Sequence, residues 1–225
     1  MQINELHEWP KSREEAEAIQ EEFCDQVQIE SLNNKIKLIA GVDTAFNPST
    51  EKLHSAVCLF TYPGLKLCQQ SRASMKATFP YIPGLHAFRE GPAILKALKR
   101  LTKTPDIIIF AGHGIAHTRR FGLACHMGLL LNCPTIGCAR KRLAGQYDEV
   151  GPDKGDSSEL FVQNEQVGFV YRSRQSVKPI FISPGHLCTN DDAVRILISC
   201  LCGYRLPEPL RAAHRLANRD KREGQ

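Results

Sequence analysis

No apolar stretch of this chain approaches the roughly 20 residues that a membrane-crossing helix needs. The opening "MQINELHEWPKSREEAEAIQ" has neither the basic start nor the apolar middle of a secretory signal. A cytosolic or nuclear protein without a membrane partner is the expectation. Internal repeats and low-complexity segments are missing as well. Cysteine is not scarce, at nine residues, but no Cys-x-x-Cys pair occurs. An odd count in a chain with no export signal argues against a disulfide framework. The nearest approach to a zinc set, Cys125, His126, Cys133 and Cys138, lies in the apolar "LACHMGLLLNCPTIGC", where buried reduced thiols are expected rather than metal.

What is present is the composition of an ordinary globular protein, 225 residues with 42% hydrophobic and 24% charged, enough to bury a sizeable core. One domain over residues 1–225 is expected, with an N-terminal helix within 1–30 and a C-terminal helix and basic tail within 206–225. The net charge of +5 is clustered in "LKALKRLTK", "HTRR", "ARKR" and the run from Arg205 to Arg222. Such clusters suit a polyphosphate partner, although charge alone does not separate that partner from solvated helix faces.

Residues 11–27 place Ala16, Ile19, Phe23 and Val27 on a helical spacing. "KLIAGVDTAF", "SAVCLFTYP" and "LKLCQQSRASM" predict three strands of an antiparallel meander, with Asp43 closing the first. "PYIPGLHAFREGPAILKALKRL" predicts a proline-pinned loop entering a helix. The β-branched "DIIIF" and the buried "PTIGCA" flank a helical "RFGLACHMGLLLN", so these two strands should be parallel. A hairpin in "ELFVQNEQVGFVYRS", a strand in "KPIFISPG" and helices in "TNDDAVRILISCLCG" and "PEPLRAAHRLANRDKREG" complete the prediction. The fold class is α/β, a mixed central sheet with helices on both faces.

Two acids stand where chemistry is plausible for that class, because ligands gather beyond the carboxyl ends of the strands. They are Asp43 on the first strand and Glu90 near the start of a helix. Metal-assisted phosphodiester cleavage needs carboxylates converging on one point. Alone, each is as well explained as a turn or cap residue. The strand "DIIIF" leads into "AGHGIAHTRR", a rim of glycines and histidines that opens on the inert Ala111.

Taken together, "GVDTAF", "PYIPGLHAFREGP", "GHGIAHTRRFGLACHMG", "PTIGCARKRL", "PIFISPGH" and "CLCGYRLPEPLRAAH" resemble the endonuclease V family over about Ile39 to His214. The resemblance implies a ribonuclease H-like fold and a nuclease dependent on Mg2+, with Mn2+ as the alternative ion. Its expected substrate is inosine in DNA or RNA, cut at the second phosphodiester on the 3′ side to leave 3′-hydroxyl and 5′-phosphate ends. It implies a monomer, a metal site at Asp43, Glu90 and position 111, and catalytic roles for His214 and Arg140. It further implies a base pocket of Gly84, Leu85, Gly112, His117 and Gly122. A strand-separating wedge of Tyr81, Ile82 and Pro83 and phosphate contacts from Arg89, Arg119, Arg140 and Lys141 complete the set.

The departures matter as much. Family members carry Asp-Gly-His-Gly where this chain has Ala111-Gly112-His113-Gly114. With the neighbouring motif intact, the expectation is an aspartate deliberately replaced, leaving a chain that holds substrate without cutting it. The alternative is a naturally non-catalytic protein that binds inosine-containing nucleic acid. Arg140 followed by Lys141 stands where a lysine is usual, and arginine spreads its charge over a planar fork. Leu187 and Thr189 replace an arginine and a serine after Gly185-His186.

Overall fold

The computed structural model describes residues 3–32 and 34–223. Its centre is an eight-stranded sheet in the order β3-β2-β1-β4-β5-β8-β7-β6. β1 (Leu38–Asn47), β2 (Lys52–Thr61) and β3 (Leu67–Lys76) form the expected antiparallel meander. β4 (Ile107–Phe110) and β5 (Thr135–Ala139) then add in parallel beside β1. β6 (Ser157–Val162) and β7 (Glu165–Tyr171) are the predicted hairpin, and β8 (Ile180–Pro184) joins it antiparallel to β5.

Helices cover both faces because the central strands are apolar on both. On β4, Ile107 and Ile109 pack with α4 (Asn190–Ser199) and α5 (Glu208–Glu223), while Ile108 and Phe110 pack with α2 (His86–Leu98) and α3 (Leu123–Leu131). That alternation is the period-2 geometry of a strand. It explains why "DIIIF" shows no polar face in sequence.

Several boundaries move. α1 covers Arg13–Phe23 and passes into a short 3-10 turn, Cys24–Gln26, so Val27 lies beyond the helix although it packs against the same cluster as Ile19. α4 starts as expected, with the Thr189 hydroxyl accepting from the Asp192 N–H, but stops at Cys200 before the predicted glycine. The basic end of α5 stays helical to Glu223; the last two residues of the expected tail lie outside the described residues. The largest correction concerns Asp43, which does not close β1. β2 pairs with β1 along its whole length, with Asp43 opposite Ala56, whereas β4 stops at Phe110 opposite Val42. Asp43 therefore lies inside a strand, yet just past the end of its parallel neighbour.

Cys125, His126, Cys133 and Cys138 are all buried. Burial pushes the three thiols up to about 12, which keeps them protonated. His126 meets His7 at 2.6 Å between Nε2 atoms. Among the described residues no group of three or more His, Cys, Asp or Glu side chains is arranged to hold a metal.

Candidate active site

The end of β4 sets the geometry. The Ala111 N–H donates to the Val42 carbonyl at 3.0 Å, adding one more rung to the parallel pairing. Position 111 thus lies beside Asp43, at the carboxyl ends of the central strands. Asp43 is fixed by two further bonds, accepting from the Thr44 N–H at 2.9 Å and from His214 Nδ1 at 2.6 Å. Because a carboxylate can only accept, Nδ1 of His214 carries the proton and Nε2 is left as the basic nitrogen. Asn218, one turn along α5, donates to the His214 carbonyl at 2.8 Å.

Glu90 reaches the same place from α2. Burial, reinforced by the negative charge of Asp43 and only partly offset by Arg89, raises its carboxyl from an ordinary 4.5 to about 8. A buried carboxylate beside a second one forms a seat for a hard cation, and Mg2+ is commonly held by one or two carboxylates plus waters and substrate oxygens. The donor set fits such an ion in a two-carboxylate form. The methyl group of Ala111 offers it nothing.

A stability prediction follows from Glu90. Its folded-state pKa lies above its unfolded one, so the contribution is complete below about 4.5 and is lost as pH rises through about 8. In chelator-treated buffer, thermal stability should fall across that window, and Glu90→Gln should flatten the fall. A profile that is already level in the unsubstituted chain would show that Glu90 is solvated and remote from Asp43.

These groups line a cleft of about 590 Å3, which also takes in Tyr81, Pro83, Gly84, Gly112, His117 and Gly122. That volume lies within the usual range for small-ligand sites. Gly84 sits at a φ of +85°, where a side chain is strained, and a Cβ there would meet His117 Nε2 at 3.2 Å. Both nitrogens of His117 are engaged, Nε2 donating to the Gly84 carbonyl at 2.8 Å and Nδ1 accepting from the Arg119 N–H at 3.1 Å. Desolvation holds that ring, and that of His113, near a pKa of about 4, so both are neutral walls at physiological pH.

The candidate residues are not all brought together. Leu85 is buried against Phe79 and Phe88, away from the cleft lining. Tyr81 is 65% exposed at the lip, edge-on to His86, while Ile82 packs against the cluster of Phe79, Leu85 and Phe88. Arg140 and Lys141 line the cleft. Arg89 instead donates to the Phe79 carbonyl at 2.7 Å and lies over the Phe46 ring. Arg119 pairs with Glu17 of α1 at 2.7 Å. Leu187 and Thr189 lie off the cleft, Thr189 serving as the α4 cap. Sequence reasoning passed over Arg142, Asn218 and Lys221, which also line the cleft. His214, Asn218 and Lys221 fall at helical i, i+4, i+7 spacing, a signal that was available.

The sheet order, with Asp43 of β1 and Glu90 of α2 meeting just past the end of β4, defines the class, a nuclease of the ribonuclease H-like fold. The Endonuclease V family model matches residues 21–215, and the chain belongs to the Endonuclease V family of metal-dependent nucleases. Endonuclease V of Nostoc punctiforme is 45% identical over 213 residues, 94% of this chain and 96% of that protein. The crystal structure of Endonuclease V from Streptomyces avermitilis superposes with a TM-score of 0.89 at 34% identity, covering 100% and 99% of the two chains. That of Ciona intestinalis Endonuclease V, in complex with a 24mer DNA containing an inosine followed by a ribo-adenosine, has a TM-score of 0.82 at 26% identity and covers 94% and 98%.

Proposed function

We propose that the chain recognises inosine in a DNA or RNA strand by drawing the base into the cleft. In its present form it holds that strand with little or no cutting. One observation carries this reading: a single cleft has cationic side chains on one wall (Arg140, Lys141, Arg142), a small-residue recess and, beside it, Asp43 and Glu90 without a third acid. The complex of the Ciona relative with inosine-containing DNA supports the choice of ligand.

Each part has a task. The cationic wall takes the phosphates, giving affinity that weakens with salt. Tyr81 and Pro83 at the lip fill the gap beside an everted base, offsetting lost stacking. Eversion costs a few kcal/mol and less for a mispaired base, which is one source of selectivity for inosine. Asp43 and Glu90 would hold a divalent ion, which would supply charge neutralisation for cleavage at the scissile phosphate, the second on the 3′ side of the base. His214, its Nδ1 proton held by Asp43, presents Nε2 for a proton on the attacking or leaving oxygen. The reading takes a monomer as the working unit.

Fluorescence anisotropy with calcium, using strands that differ only in one inosine or adenine, is expected to give at least about tenfold tighter binding of the inosine strand. Equal affinity for the two strands would remove the base-specific reading. The same titration repeated at several salt concentrations should give a negative slope for both strands.

A further inference from the structure

From its place in the fold, we infer that Gln20 of α1 is a positioning residue that sets the width of the base recess. This rests on the inosine reading above and deepens it. Gln20 is fully buried, which is unusual for a polar side chain on an amphipathic surface helix. Its Nε2 donates to the Gly84 carbonyl at 2.9 Å and to the Phe121 carbonyl at 2.9 Å. Gly84 belongs to the lip loop, and Phe121 precedes Gly122, so the two bonds tie together two segments that both line the recess. Gly84 O also accepts from His117 Nε2 at 2.8 Å, making one carbonyl the meeting point of α1, the lip and the loop after β4.

The choice of amide orientation is dictated by chemistry, since turning the group over would set its oxygen against two carbonyl oxygens. The consequence is that Gln20 Oε1 is buried with no partner. A buried acceptor without a donor costs stability. An amide kept at such cost is poorly explained as a packing residue; what it supplies is a donor to two loop carbonyls, and an apolar side chain of the same length would take that donor from the Phe121 carbonyl. Glu17, one turn earlier on α1, holds Arg119 of the same loop at 2.7 Å. The helix thus grips the 117–122 loop at two points, one polar and buried, one at the surface.

The test separates folding from recognition. In Gln20→Met the side chain keeps its length and loses both donors and the orphan acceptor. Its melting temperature is expected to fall by no more than a few degrees, because the donor lost to the Phe121 carbonyl is partly offset by removal of the orphan acceptor. The inosine-to-adenine affinity ratio is expected to fall about tenfold, with affinity for the adenine strand unchanged. Gln20→Ala, which leaves room for water, serves as the second variant and should show the same loss of ratio. Damage to the fold alone would weaken both strands together and leave the ratio where it was. A preserved ratio in either folded variant overturns the role of Gln20 while leaving the inosine reading intact. An unsubstituted chain that shows no preference overturns both.

Discussion

Ala111→Asp, assayed with magnesium, should cut an inosine-containing strand at least about a hundredfold faster than the chain as it stands, on the scale of losing one charge-stabilising group. The reason is positional. Residue 111 follows the last residue of β4, and its N–H is held by Val42, the residue before Asp43. Its side chain is exposed in the cleft, so a carboxylate there displaces nothing. With three acids in place of two, charge that builds on the phosphate in the transition state meets a more tightly held ion. Ground-state binding of the strand, which the proposed function assigns to Arg140, Lys141 and Arg142 of the cleft lining, should change far less. Single-turnover cleavage of an end-labelled strand measures the effect. If that variant leaves the strand intact under saturating magnesium, the two-acid seat is not the active site. Equal cutting of an inosine-free control would deny the base specificity.

Gly41→Ala should lower stability by about 3 kcal/mol, a fall of roughly 6–12 °C in melting temperature for a chain of this size. Gly41 lies on β1, two residues before Asp43, and a Cβ built on it would stand 2.2 Å from the Pro209 carbonyl carbon and 2.6 Å from the Leu210 nitrogen. Those are backbone atoms at the start of α5, so no rotamer change relieves the clash. The helix must move, and with it His214, which touches Asp43 at 2.6 Å. In the Ala111→Asp background, cutting should fall along with stability. Gly64→Ala is the control, because its Cβ meets only the Thr61 hydroxyl at 3.8 Å. Matching melts for the two alanine variants would mean that α5 does not rest on β1 through this glycine.

The legible part of the fold was the part with a local signature. "DIIIF" is short and β-branched throughout, which marks a strand covered on both faces before any partner is known. Thr189 with Asp191 and Asp192 marks a helix start through capping chemistry that acts within one turn. Asp43 was found but misplaced within β1, because the end of a strand depends on where its neighbours stop. β2 continues beyond Asp43 and β4 does not. Arg89 and Arg119 illustrate the same limit for charge. Their side chains turned to the Phe79 carbonyl and to Glu17, partners ten and about a hundred residues away.

By itself the sequence determined which chemistry is present: the acids at 43 and 90, the histidine at 214, the alanine at 111, and the order of motifs that marks the family. Residue identity is a local property, so it survives without a structure. Only the tertiary structure decided which cations face the cleft, that His117 spends both ring nitrogens inside the protein, and that Gln20 ties the Gly84 loop to the loop after β4. Those outcomes depend on distances between segments far apart in the chain. Such distances arise when a sheet and its helices close on one another to exclude water.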